Sequence, residues 1–363
     1  MGSIPLGMFN KKYICFYLII LVISIASFKS LSFSVFSLII CIIFHLYQTK
    51  TNKSLKELII IESEIIGYNK KGRKRKMELT DQITYDILED IAPNVKFFSI
   101  YNGHGSRGIN VAEIFKKYMR IKLIEDKNII SKFKEIKEVK LFFAEFFKSF
   151  QNKLPKDNPE YHYSGISAII VLIVNNKMFA INLGDSRCIL GQKKDKEKKF
   201  KTITIEHTIS RDDEKKRISE NGGKIKENNG RLMIHTKNDK CLGIEISRSL
   251  GDIFGHEIGV LCEPDVFEKE LNNEDCFIVI GNYGIFNLMK NNEIIEFIFN
   301  KIEINEKKIC SKLLVEKCRQ KWEEKNLIEN IFDIEDLACI IDFINIKKND
   351  KLIKNKIYFY YFF

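Results

Sequence analysis

The chain of 363 residues carries 59 Lys and Arg against 48 Asp and Glu, a formal net charge of +11, and 45% of it is apolar. That suffices for one large domain with a small appendage and excludes a disordered chain. The lysines are not interleaved with aromatics in a base-binding pattern, so nucleic acid is not an expected partner. The nine cysteines include no Cys-x-x-Cys pair and fit free thiols in a reducing compartment.

Residues 1–12 form a short tail. Residues 13–28 are almost wholly apolar, Lys29 and Ser30 interrupt them, and residues 31–47 resume the run. A spanning helix needs about 20 apolar residues. The run therefore suits one span plus an interfacial segment, or a tight hairpin with Lys29 at its tip. It continues past any small-residue site, which argues against a cleaved signal peptide. Lysines flank both sides, so a hairpin with both ends cytosolic satisfies the positive-inside rule. Free thiols place the large domain in the cytosol. The first six residues lack the later Ser or Thr of a myristoylation signal.

Residues 48–66 are expected as a linker, helical over 55–66. The basic stretch 72–78 reads either as a juxtamembrane patch on anionic lipid or as the start of the domain. Residues 95–101 read as a buried strand entering the polar turn Asn102-Gly103-His104-Gly105. Helical patterns follow over 111–123 and 136–154. In the second, Phe142, Phe143, Phe146, Phe147 and Phe150 recur at core spacing. Strands 169–174 and 178–183 are joined at Asn175-Asn176-Lys177, and strands 188–190 and 200–205 form another hairpin across a lysine-rich loop. Residues 292–302 and 307–325 read as helices, and 337–344 as a last strand. The tail 346–363 mixes lysines with Tyr358, Phe359, Tyr360, Tyr361, Phe362 and Phe363, and suits a membrane surface or the domain itself. Strands in runs with helices in pairs point to an α+β domain of two packed antiparallel sheets covered by helices.

Beyond the Gly103-His104-Gly105 turn, six blocks stand in a telling order. They are Ser164-Gly165-Ile166-Ser167-Ala168, Leu183-Gly184-Asp185-Ser186-Arg187, Asn221-Gly222-Gly223 at the end of a helix, Ser247-Arg248-Ser249-Leu250-Gly251-Asp252, Glu263-Pro264-Asp265-Val266 and Gly281-Asn282-Tyr283-Gly284. Together they resemble the metal-dependent protein phosphatases, the 2C type of protein serine/threonine phosphatase, over residues 67–345. The resemblance implies a four-layer α-β-β-α sandwich, a two-metal site for Mg2+ or Mn2+, and phosphoprotein substrates. Some relatives are anchored in the endoplasmic reticulum by an N-terminal span, which gives the same expectation here.

Two-metal phosphoester hydrolysis needs hard cations held by carboxylates, which lower the pKa of a bound water and neutralise developing charge. Carried over residue by residue, the resemblance makes His104 the proton donor to the leaving group and Lys74 the stand-in for a phosphate-binding arginine. It makes Gly103, Glu78, Asp185 and Asp336 metal ligands. Four positions depart from the family. Asn102 replaces the bridging aspartate, Tyr283 a second, Asn287 a further acid one turn on, and Leu79 the partner of Glu78. An amide oxygen can ligate one metal, but its nitrogen cannot take the second, and a neutral tyrosine adds no charge. The expectation is a membrane-tethered phosphatase-like domain with lost or strongly reduced catalysis that binds a phosphoprotein or protein partner. An active phosphatase with a degenerate metal site is the alternative.

Overall fold

The computed structural model describes residues 59–70, 83–155, 158–228, 231–238, 243–329 and 335–348. In chain order the strands are β1 (Ile59–Lys70), β2 (Ile83–Ala92), β3 (Val95–His104), β4 (Gly165–Val174), β5 (Lys177–Leu183), β6 (Arg187–Lys194), β7 (Glu197–Thr202), β8 (Lys224–Asn228), β9 (Arg231–His235), β10 (Leu250–Gly251), β11 (Asp265–Glu270), β12 (Asp275–Gly281) and β13 (Leu337–Lys348). The helices are α1 (Gly108–Glu125), α2 (Lys127–Ile130), α3 (Ile136–Lys153), α4 (Asp212–Glu220), α5 (Ile253–His256), α6 (Tyr283–Phe286), α7 (Asn291–Glu303) and α8 (Cys310–Glu329).

One sheet runs β1-β13-β12-β6-β7. The other runs β11-β5-β4-β3-β2, with β10 beside the start of β4, and neighbouring strands are antiparallel. Side chains alternate across each strand, so every central strand feeds two cores. Phe98, Ile100, Ile169 and Val171 of one sheet meet Leu190, Ile278, Ile280 and Ile340 of the other. The opposite faces of β3 and β4, through Phe97, Tyr101, Ile170 and Leu172, pack on α1 and α3. Val279, Ile341 and Phe343 pack on α7 and α8. The result is the expected four layers, α-β-β-α.

The phenylalanine stripe of α3 lies in the outer core. Phe143, Phe146, Phe147 and Phe150 are buried, and Phe115 of α1 meets the last three at centroid distances of 5.7, 5.2 and 4.8 Å. Each such ring contributes roughly 1.5–3 kcal/mol by burial. Glu138 closes the helix start by accepting from the backbone N–H groups of Lys134 and Glu135.

The segment expected as a helical linker is different. Ile59–Lys70 is an edge strand paired with β13 along its whole length, from Ile59↔Lys348 to Lys70↔Leu337. Its isoleucines at 59–61, 65 and 66 mimic helical spacing, but β-branched runs favour the extended chain once a partner strand is available. β7 begins three residues earlier than expected, and β2, β8, β9 and β11 were not anticipated. A small satellite core, with Ile209, Ile218, Ile234, Ile246, Ile258 and Val260, joins α4, β9 and the segment around α5.

Among the described residues no helix is long and apolar enough to cross a membrane. The apolar run 13–47, Lys74, Glu78, Leu79 and the tail beyond residue 348 lie outside them.

Candidate active site

β3 delivers the organising turn. Asn102 stands opposite Ser167 of β4, Gly103 opposite Ile166 and His104 opposite Gly165. Gly105 has φ +77°, and a Cβ there would lie 2.3 Å from the carbonyl oxygen of Tyr163, so only glycine fits. Gly165 leaves room of another kind. A Cβ there would lie 2.4 Å from Oδ2 of Asp252. Through that gap Asp252 reaches His104, with Nε2 to Oδ2 at 2.6 Å.

Asp252 is buried and also accepts from the Ser249 hydroxyl at 2.5 Å. Its backbone is left-handed, φ 41°, which Asp tolerates better than most residues. Its N–H donates to the Ser164 carbonyl at 2.9 Å. Gln151 of α3 grips the preceding Gly251 at both backbone groups, each at 2.8 Å. The carboxylate is thus set before any ligand arrives.

Asp185 follows Gly184, whose φ is +103° and whose missing Cβ would lie 2.4 Å from Cβ of Ser167. Asp185 therefore sits beside the residue that faces Asn102. Its Oδ1 and the Ser167 hydroxyl are buried without hydrogen-bond partners. Burial, and next the charge of Glu206, push the Asp185 carboxyl up to about 6.

β12 brings in the fourth element. The side chain of Asn282 donates to the Asp336 carbonyl at 2.8 Å and accepts from the N–H of Ala338 at 3.0 Å. Gly284 packs on the same carbonyl, which a Cβ would approach to 2.6 Å, and Trp322 of α8 donates to the Gly284 carbonyl at 3.0 Å. Tyr283 and Asp336 are thereby held side by side. Burial raises the Tyr283 hydroxyl, and Glu245, Glu335 and Asp185 act in the same direction against Arg231. Asp185, Tyr283 and Asp336 thus gather at the end of the sheets where Asn102 lies. Asn287 is exposed one turn past Tyr283, its N–H on the Tyr283 carbonyl at 2.9 Å.

Several participants gave no usable signal in the sequence. Arg231 of β9 reaches Glu245 at 3.3 Å and Glu335 at 3.8 Å, next to Tyr283. Asp252 was visible in its Ser-Arg-Ser-Leu-Gly-Asp block, but its pairing with His104 depends on the fold. A buried network fixes the intervening loops. Gly184 N–H donates to Nδ1 of His207 at 3.1 Å, and Nε2 of His207 meets Asp265 at 2.9 Å. Asp265 accepts from Arg248 at 3.1 Å, and Arg248 donates to Glu214 at 2.8 Å. Arg217 at 2.5 Å and the Ser247 hydroxyl complete the shell of Glu214. Burial alone would raise this carboxyl, but Arg217, Arg248 and Ser247 hold it well below its usual range.

The described donors alone do not make a two-metal centre. Among the described residues no three His, Cys, Asp or Glu side chains gather as a metal-binding group. The two positions that the family resemblance assigns to bridging or completing such a centre carry an amide and a phenol, Asn102 and Tyr283. Two buried carboxylate oxygens of the site, Oδ1 of Asp185 and Oδ1 of Asp252, have no hydrogen-bond partner and are the nearest approach to a vacant ligand.

Residues 66–327 match the protein phosphatase 2C family model. The chain belongs to the protein phosphatase 2C family. It is similar to the human integrin-linked kinase-associated serine/threonine phosphatase 2C, with 29% identity over 65% of this chain and 61% of the relative. The chain thus spans about three-fifths of that relative's length. It is 24% identical to a probable protein phosphatase 2C 65 of Arabidopsis thaliana, over 69% of this chain and 68% of the relative. Among solved structures, serine-threonine phosphatase 2C from Toxoplasma gondii shares the fold, with a TM-score of 0.65, 15% identity, and coverage of 79% of this chain and 99% of that one. Within this 2C-type frame, His104, Asn102, Asp185, Tyr283 and Asp336 converge from four separate stretches of sequence. Lys74, Glu78 and Leu79 fall outside the described residues.

Proposed function

We propose that this chain is a membrane-tethered 2C-type phosphatase-like domain with lost or strongly reduced catalysis, which works by binding a phosphoprotein or another protein partner. The observation that carries this reading is the pair Asn102 and Tyr283 at the end of the two sheets. Replacing two anionic ligands by neutral groups removes most of the electrostatic attraction for two adjacent divalent cations. The site otherwise stays folded around its histidine. The human relative's name associates it with integrin-linked kinase, and a protein partner is the corresponding reading here. Tethering rests on the apolar run 13–47, with the domain on the cytosolic side and the endoplasmic reticulum as the membrane.

A second reading, an active Mg2+- or Mn2+-dependent serine/threonine phosphatase with a degenerate site, is favoured by the retained His104–Asp252 pair at 2.6 Å. Two measurements test the first reading. The full chain should retain a phosphoserine peptide over its unphosphorylated twin, and should stay in membranes after carbonate extraction. Equal affinity for the two peptides contradicts the phosphoprotein-binding role. Release by carbonate contradicts the tether.

A further inference from the structure

The β6–β7 hairpin forms a basic protrusion. Between residues 193 and 201, six lysines stand against Asp195 and Glu197. β7 is the edge of its sheet, and lysines on an edge strand block pairing with other chains, which accounts for part of this charge. It does not account for Phe200, which is 42% exposed in the middle of the lysines. Three of the lysines are engaged: Lys194 with Glu274 at 3.1 Å, Lys198 with Glu303 at 2.6 Å and Lys199 with Glu197 at 2.8 Å. Lys193, Lys196 and Lys201 are exposed and carry no ion pair among the described residues.

Register sets the pattern. Gly191 faces Phe200 and Lys193 faces Lys198, so Phe200 and Lys193 occupy the same face as diagonal neighbours. Lys201 follows Phe200 on the opposite face, and Lys196 sits at the tip. Along this sheet edge the exposed ring has the unpaired Lys193 beside it on its own face, with Lys201 behind it and Lys196 at the tip, which supplies both halves of an interfacial anchor approached edge-on. The ring leaves water for the headgroup region, and the lysines meet lipid phosphates while their stems lie along the apolar boundary.

We propose that the β6–β7 hairpin is a docking surface for an anionic lipid bilayer, with Phe200 entering the interface and Lys193, Lys196 and Lys201 supplying the attraction. A row of aromatic platforms for stacked bases is missing from the hairpin. The inference stands apart from the apolar run 13–47, because the hairpin can meet a lipid surface with or without that anchor.

The test uses the full chain with vesicles of phosphatidylcholine alone or with about a third phosphatidylserine. Exposed lysines are acetylated with a membrane-impermeant reagent and quantified by mass spectrometry. The proposal expects labelling of Lys193, Lys196 and Lys201 to fall about threefold or more in the anionic vesicles, with high salt restoring it. Lys117, exposed on α1 in the outer layer of the other sheet, should not change. Phe200→Ser should weaken the protection. Equal labelling in both vesicles overturns the proposal, as does an equal fall at Lys117. Equal protection by polyglutamate with neutral vesicles also overturns it, in favour of an acidic protein partner. Flotation in the same samples reports the N-terminal anchor separately, so failure of one reading is distinguishable from failure of the other.

Discussion

His104 and Asp252 are separated by 148 positions in the chain, and their side chains meet at 2.6 Å. The contact exists because Gly165 vacates the space that a Cβ would fill 2.4 Å from the Asp252 carboxylate. Gly165→Ala should therefore displace Asp252 or the backbone of β4, and destabilise the domain by about 2–4 kcal/mol. Asp252→Ala should cost a similar amount, since it leaves Ser249 unpartnered and puts alanine at φ 41°. Asp252→Asn, which tolerates that backbone and can still accept, should cost less. Chemical denaturation of the three variants checks the order.

Acid should unfold the loops behind the site through Glu214. Its carboxyl lies below its ordinary value of 4.5 in the folded state, because Arg217, Arg248 and Ser247 outweigh burial. A group depressed in this way contributes stability at pH values above 4.5, and the contribution is lost as the pH falls below it. Stability of the natural protein should therefore decline steeply from about pH 5 downwards. Glu214→Ala should flatten that decline. It should also cost about 3–5 kcal/mol at pH 7, since the guanidinium groups of Arg217 and Arg248 then lose their buried partner. Melting curves across pH check both.

Much of the layered core could be read from the sequence. The phenylalanines of α3 recur at helical spacing, and four of them, Phe143, Phe146, Phe147 and Phe150, are buried; the apolar runs of β3, β4, β5 and β12 are nearly continuous, as strands covered on both faces are. β1 was misread because isolated isoleucine clusters serve a helix face and an edge strand equally well, and only β13 decides between them. At the site, glycine-flanked turns marked Asn102 to His104, Asp185 and Tyr283. The positions of Arg231, Glu245 and Glu335 were illegible, because each is contributed by a separate loop or hairpin and only the tertiary fold brings their charges beside Tyr283.

Restoring the missing acids should be non-additive. Asn102→Asp returns a bridging group but leaves the phenol of Tyr283 in place. Tyr283→Asp opens that position but leaves nothing to bridge. The two residues act on one site, so the double variant should bind Mn2+ more tightly than the singles together suggest. Calorimetric titration of all four proteins checks this. Additive effects would separate the two positions. In the double variant, loss of His104 should lower any turnover by about 10²–10⁴-fold.

The central claim is that the natural site holds a phosphorylated partner without hydrolysing it. Release of inorganic phosphate from a phosphoserine peptide, measured with the full chain in molar excess over peptide and millimolar Mn2+, tests it most directly. The account predicts that the peptide is recovered with its phosphate, and that substituting His104 changes nothing. Phosphate release that disappears when either His104 or Asp336 is replaced would contradict it and establish an active phosphatase.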